Sequence, residues 1–310
     1  MNILSFLVPT IILLFVGLVK NKMNLKQNLF LLTPNRLKIK ILSYFFILFF
    51  SSAHAQQANF FSRSEFGVSI GQMYYIGDLN KFKPFYKSNW AGGLMFRYNV
   101  HSRLSLRFNY LQGKVEAYDS DAKNPVTINR NLSFQSPIKE VSGGIEFHYF
   151  PFQFGQKKNS GTAYLLAQLG VFHMSPSVVI NGETIDLQVL GTEAQGTDIN
   201  GSRKYSKFQL CVPLGLGVKA SLGKNVTFNF DLAIRKTFTD YIDDVKAFSY
   251  ADPAIIASEY GSLAADLSNQ SIVDNAYAVR GNPTTKDWYV YCGGMVTIRL
   301  GSGNKCPVLR

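Results

Sequence analysis

VTFNFDLAIR, residues 226–235, decides the fold: Val226, Phe228, Phe230, Leu232 and Ile234 share one face of an extended chain, and Thr227, Asn229, Asp231 and Arg235 the other. Successive side chains of a strand point to opposite sides of the sheet, so this period of two marks a strand with one apolar and one polar face. Three more stretches repeat it. Trp90, Leu94, Phe96 and Tyr98 oppose Ala91, Gly93, Met95, Arg97 and Asn99; Leu104, Leu106, Phe108 and Tyr110 oppose Ser105, Arg107 and Asn109; Val141, Ile145, Phe147 and Tyr149 oppose Ser142, Gly144, Glu146 and His148.

Working outward, eight segments carry strand character, near 64–77, 88–99, 102–115, 137–151, 161–175, 205–221, 225–238 and 286–300. Each exceeds the five or six residues usual in soluble proteins and meets the roughly 9–11 that a tilted strand needs to cross a bilayer. Short connections (around 100–102, 152–160 and 223–225) alternate with long ones (78–87, 116–136, 176–204 and 239–285). That alternation predicts an all-β transmembrane antiparallel β-barrel of about eight strands, with short periplasmic turns, long extracellular loops and both termini in the periplasm. Gly223-Lys224-Asn225 suits a hairpin turn. Two features fit less well: 161–175 is apolar on both faces, and Pro213 costs a ladder bond, so a bulge or a different register is expected there. Tyr74, Tyr75, Trp90, Tyr98, Tyr110, Tyr149, Phe150, Trp288 and Tyr289 sit near predicted strand ends, where aromatic girdles form.

Composition agrees. Aromatic residues make up 14% of the chain and charged residues 17%, a balance suited to contact with lipid. The formal charge is +12, but residues 1–55 hold six basic residues and no acidic one, which leaves +6 for the remainder. With no Lys/Arg-rich block after residue 55, nucleic-acid binding is not expected. RLKIK from Arg36, the apolar ILSYFFILFF and then SSAHA before Gln56 form a signal peptide, with cleavage expected between Ala55 and Gln56. Residues 1–55 are therefore the signal region, 56–300 the barrel and 301–310 a periplasmic tail. A second apolar run, Ile3 to Val19, precedes the signal, and translation is expected to start at Met23.

The inward faces offer Arg97, Arg107, Lys219 and Arg235 against Glu146 and Asp231. An eight-stranded barrel has room for side chains but no wide channel, and buried charges must pair, so these six are expected to plug the lumen. An ion or proton path is the sharper alternative.

Catalytic and metal signatures are sparse. His101, His148 and His173 have no metal-ligand spacing. His173 beside Ser175 or Ser177 resembles a base and nucleophile only by proximity. Asp240, Asp243 and Asp244 form an acidic cluster that lacks the EF-hand pattern and reads as a solvated loop or helix start. Cys211 and Cys292 read as small strand residues; Cys306 is either a free thiol or half of a bridge. No catalytic residue and no cofactor are expected.

Five blocks carry a further signal: YYIGDLN (74–80), RNLSFQSPIKE (130–140), LGTEAQG (190–196), RKTFTDYIDDV (235–245) and RGNP with KDWY (280–289). In this order they resemble the PorG family, outer-membrane barrels associated with the type IX secretion system of Bacteroidetes. The resemblance implies a non-enzymatic protein of the outer membrane, in contact with its lipid and associated with a periplasmic ring of PorK-like lipoprotein and PorN-like protein. A ring would meet the short turns or the tail, where Lys157, Lys158, Lys224 and Lys305 are either a docking surface or solvated lysines. Two other readings stand beside it, a stand-alone small barrel of the adhesin or stability type and a lipid-modifying barrel enzyme.

Overall fold

The computed structural model describes residues 63–301, apart from 82, 155–158, 198–202 and 274–278. The signal region, Ala55 and Gln56, Lys157, Lys158, Lys305 and Cys306 lie outside the described residues.

Ten strands are formed: β1 Ser64–Ile76, β2 Asn89–His101, β3 Leu104–Tyr118, β4 Ser133–His148, β5 Gly161–Met174, β6 Ser177–Ile180, β7 Glu183–Asp186, β8 Phe208–Ser221, β9 Val226–Thr237 and β10 Trp288–Arg299. Eight of them close a barrel, because antiparallel pairing runs from β1 through β2, β3, β4, β5, β8 and β9 to β10, and β10 pairs back onto β1. Closure leaves no open sheet edge, the condition for strands to stand in lipid. The three short connections and both ends of the barrel chain lie at one rim, the periplasmic one; the four long connections lie at the other.

The faces divide as the alternation predicts. Phe66, Val68, Ile70, Leu94, Leu106, Phe108, Ile145, Leu165, Leu169, Leu216, Phe228, Phe230 and Ile298 are exposed on the outer wall, which is a lipid-facing belt rather than a failed core. Segment 161–174 is apolar on both sides because Leu165 and Leu169 meet lipid while Leu166 and Phe172 pack inside.

Strand bounds differ in an informative way. The third and fourth strands reach Tyr118 and Ser133, beyond the expected upper limits of 115 and 137. Polarity inverts along them without a break in the pleat. On β3, Leu104 to Tyr110 supply the outward apolar residues, about 20 Å of strand at ~3.4 Å per residue. Above them Lys114 and Glu116 form an outward ion pair at 2.8 Å, and Leu111, Val115 and Ala117 turn inward and are buried. The barrel wall thus leaves the membrane and continues as an ordinary soluble sheet with its core inside.

Two other expectations are corrected. Pro213 causes no register shift: Ala167↔Leu214 and Gly170↔Cys211 keep one register, with the two positions between them unpaired, and Pro213 stands opposite Arg235 on β9. The irregularity falls instead between Asn99 and His101. Among the expected girdle residues, Trp90, Tyr110, Tyr149 and Phe150 are exposed, but Tyr75 and Tyr289 are wholly buried inside the barrel and Tyr74 is covered by the Phe85 ring at 5.2 Å.

The 175–207 connection contains a hairpin the alternation did not reveal, β6–β7, turned at Asn181 (φ 52°) and Gly182 (φ 87°). Asn-Gly is the preferred pair for such a two-residue turn, since both positions need positive φ. Short helices complete the long loops: α1 Pro125–Arg130, capped by the Asn124 side chain; α2 Leu187–Leu190, capped by Asp186; α3 Pro253–Tyr260, capped by Asp252; and α4 Ser262–Ser268.

Candidate functional site

Two layers of buried polar groups fill the molecule from the periplasmic rim upward. In the lower layer, Arg97 is fully buried and donates Nη1 to Glu65 Oε2 at 2.7 Å, Nη2 to Glu146 Oε2 at 2.9 Å and Nη2 to Asn229 Oδ1 at 3.1 Å. Arg107 reaches the same Glu146 oxygen at 3.4 Å and pairs with Asp231, which also accepts from the Tyr164 hydroxyl. Lys219 Nζ stands 3.3 Å from Glu146 Oε1 and 2.9 Å from His148 Nε2. Higher up, Arg235 Nε donates to Glu140 Oε2 at 3.1 Å, an oxygen shared with the Tyr289 hydroxyl at 2.9 Å.

All six residues expected to plug the lumen therefore lie in it: Arg97, Arg107, Glu146, Lys219, Asp231 and Arg235. Two carboxylates escaped the sequence reading, Glu65 and Glu140. The signal was available for both, since Glu140 is two residues before inward Ser142, and Glu65 lies on the strand face opposite apolar Phe66, Val68 and Ile70. With them the charges of these eight lumenal residues balance, four carboxylates against four cations. Such pairing is what lets ionised groups persist away from water. A void of about 20 Å³ beside Arg107, Asn109, Asp231 and Arg235 has room for a water molecule. Gly217 lies beneath Tyr164, and a Cβ there would run into the phenol ring that reaches Asp231.

At the periplasmic mouth stands Phe152, from the β4–β5 connection. Phe152 is buried, its amide donates to Ser102 O at 3.0 Å, and Lys219 Nζ lies 4.4 Å from its ring centroid.

The upper layer is a cap built by the four long loops. Arg130 forks onto Asp119 with bonds of 2.6 and 2.7 Å and donates to the carbonyls of Asp78 and Arg280. Arg280 donates to Glu193 Oε1 at 3.1 Å, Thr192 Oγ1 at 3.1 Å and Ser268 O at 3.3 Å. Glu193 Oε1 also accepts the amides of Lys246 and Ala247 at 2.7 and 2.8 Å. Asp244, held at φ 62°, accepts from Thr192 and from Tyr205 Oη, at 2.5 and 2.6 Å. A non-glycine residue in the left-handed region costs free energy that these bonds offset.

Asp240, Asp243 and Asp244, expected in solvent, are each at most 3% exposed. Their surroundings are unusual for carboxylates. The Tyr75 hydroxyl faces Asp243 Oδ2 at 2.5 Å and Asp287 Oδ1 at 2.8 Å, while the amides of Val245 and Ile242 donate to the remaining oxygens at 3.0 and 2.9 Å. A phenol carries one proton and donates to one acceptor, so the other carboxyl must itself hold a proton. Burial pushes both Asp243 and Asp287 well above the usual carboxylate range, helped by repulsion from Asp287 and Asp78 at Asp243 and from Asp240 and Asp78 at Asp287. Burial likewise lifts Asp240 and Asp244 to about 6.

A pH dependence follows. The folded carboxyls hold protons more tightly than the unfolded chain, whose Asp side chains titrate near ~3.9. Their contribution to cap stability is therefore complete below that value and is lost as pH rises through the folded values. For Asp240 and Asp244 that window runs up to about 6, and for the Asp243–Asp287 pair it extends higher. Amide exchange across 238–287, corrected for the intrinsic rate, should speed up between pH 5 and pH 8, and Asp287→Asn should flatten that rise. A rise of equal size in the variant would rule the pair out as its source.

The remaining sequence candidates do not assemble. His173 packs on Phe208 at 4.9 Å, Ser175 Oγ donates to Asp186 and Ser177 Oγ to Gln135 O, so no base faces a nucleophile there. His148 is buried in the lumen, Cys211 is buried beside Tyr289, and Cys292 is a partly exposed strand residue. Among the described residues, no group of three or more His, Cys, Asp or Glu side chains is arranged to hold a metal ion.

A family model described as a domain of unknown function, DUF6089, matches residues 39–266. No curated protein sequence matches the chain. Solved structures similar to it include Neisserial surface protein A, with 12% identity over 77% of this chain and 97% of that one, at a TM-score of 0.36. Ail, the attachment invasion locus protein of Yersinia pestis, in complex with a heparin analogue, has 10% identity over 76% and 97%, at a TM-score of 0.34. A major outer membrane protein of Thermus thermophilus has 11% identity over 76% and 98%, at a TM-score of 0.35.

Proposed function

The chain belongs to the DUF6089 family, and on that premise we propose that it is an outer-membrane component of a type IX protein secretion machine, associated through its periplasmic end with a ring of PorK-like lipoprotein and PorN-like protein. The observation that carries this reading is where the five sequence blocks fall. Tyr75 and Asp78, Arg130, Thr192 and Glu193, Asp243 and Asp244, and Arg280 and Asp287 come from all five, and they interlock as one cap. The blocks that resemble the PorG family thus describe a single built object rather than scattered loop residues.

A filled, charge-balanced lumen suits a protein that anchors a machine and does no chemistry of its own. In this reading it acts without cofactor or catalytic residue, is exported by its signal peptide, and contacts only lipid along its outer wall.

The test is gentle detergent extraction of the tagged protein followed by mass spectrometry of what remains bound. Ring lipoprotein and its partner should be recovered, and a clean deletion should lose secreted cargo. A lone barrel together with normal secretion would remove the proposal.

A further inference from the structure

The two ends of the barrel differ in charge far more than the chain's net charge suggests. Of the 20 acidic residues, Glu65, Glu140, Glu146 and Asp231 line the lumen, and every other described one belongs to the extracellular side, in upper strand positions, in the β6–β7 hairpin or in the long loops. None falls in a periplasmic turn, in 56–63 or in 299–310. The same end carries Arg63, Arg103, Lys224 and Arg299.

These cations are neighbours. Strands β10, β1, β2 and β3 are consecutive in the barrel, so Arg299 at the end of β10, Arg63 at the entry to β1 and Arg103 in the β2–β3 turn follow one another around the rim. Lys224 adjoins them, because the Arg299 amide donates to Asn225 O at 2.8 Å. Register settles which way the arginines face. Arg299 stands opposite Glu65, and the His148 amide bonds to Arg103 O, so each arginine shares a sheet face with a lumenal residue. Arg63 immediately precedes β1, and its carbonyl accepts from the Asn99 side chain at 3.1 Å, which holds it at the same rim. The arc therefore borders the mouth and does not face the lipid belt. Arg299 also lies 5.7 Å from the Phe154 ring, two residues after buried Phe152. Guanidinium groups suit forked pairing with carboxylates.

We propose that this arginine arc is a docking surface for an acidic segment of a periplasmic protein, the contact through which the machine reading above, on which it rests, would be realised.

The experiment uses the full chain in nanodiscs of zwitterionic phosphatidylcholine and a fluorescent decaglutamate peptide as probe. Binding is expected, weakening steeply with salt, and falling at least tenfold for Arg103→Gln alone or for Arg63→Gln, Arg103→Gln and Arg299→Gln together. Lys83→Gln with Lys87→Gln, at the opposite end, should leave binding unchanged. Arg103→Gln changes an exposed side chain, which keeps the test valid even where the triple variant fails to fold. Equal binding by wild type and Arg103→Gln would overturn the proposal. So would retention of phosphatidylglycerol in native mass spectrometry without any peptide binding, which would assign the arc to lipid headgroups. Ring proteins recovered equally with wild type and variant would overturn the arc and leave the machine reading. An arc-dependent peptide complex with no ring proteins recovered would support the arc and remove the machine.

Discussion

Glu146→Ala is expected to cost about 3–5 kcal/mol of barrel stability, the loss typical when one partner of a buried ion pair is removed. The position is unusually exposed to that effect. One carboxylate faces Arg97, Arg107 and Lys219 and lies 2.8 Å from the His148 ring, and its removal leaves three buried cations short of one negative charge. Glu146→Gln isolates charge from volume, because the amide fills the same space and still hydrogen-bonds but cannot balance the cations. The measurement is equilibrium urea unfolding in lipid vesicles, followed by the fluorescence of Trp90 and Trp288. A midpoint for Glu146→Gln indistinguishable from wild type would show that the lumen tolerates unbalanced charge through water or proton uptake. The lumen would then be a wetter object than its bonds suggest.

Arg280→Ala should open the cap and leave the barrel standing. Arg280 is 2% exposed and ties together the 175–207 and 238–287 loops through Glu193, Thr192 and the carbonyls of Ser268 and Asp244. Its loss takes the guanidinium from the buried Glu193 carboxylate, leaving that charge unbalanced at a local cost of about 3 kcal/mol or more. Because the barrel ladder does not depend on it, the cost appears as local opening. Trypsin should then cut at Lys246 at least tenfold faster, with amide protection in β1–β4 unchanged. Arg280→Lys is expected to restore little, since a single ammonium cannot span the four acceptors that the guanidinium fork reaches. Unchanged protection at Lys246 would mean that the apolar contacts of Ile242, Val245 and Leu267 hold the cap by themselves.

What could be read from the sequence, and what could not, divides along the same line as these two predictions. The barrel was legible because its determinants are local. Phe228, Phe230 and Leu232 report their face by period alone, and short turns betray which strands adjoin. The lumen was half legible: alternation finds inward residues, and Glu65 and Glu140 were missed only where it was not followed through β1 and β4. The cap was not legible. Asp243 sits among Asp240 and Asp244 in a polar loop, and nothing local distinguishes a solvated carboxylate from one buried against Tyr75 and Asp287, 168 and 44 positions away. Arg280 and Glu193 are separated by 87 residues with no period between them. Tyr75 and Tyr289 were assigned to the membrane interface for the same reason. Their strands cross from the lipid zone into the soluble wall, and the meaning of an aromatic at a strand end changes at that crossing.

The way Arg97 is satisfied has a consequence for how the molecule is made. Glu65 stands beside it in the β1–β2 hairpin, but Glu146 comes from β4 and Asn229 from β9, so no single hairpin supplies all its partners. A sheet that has entered the bilayer with its two end strands still apart would leave the cross-lumen pairs Arg107–Asp231 and Arg235–Glu140 separated, with charges facing hydrocarbon, a state more costly than either the closed barrel or the chain in water. Assembly is thereby pushed toward an all-or-none event in which the joining of β1 to β10 and the neutralisation of the lumen coincide. The lumenal arginines that contribute to final stability thus also make half-inserted forms short-lived, and a chain lacking Arg235, whose carboxylate partner Glu140 lies across the lumen on β4, should linger in them.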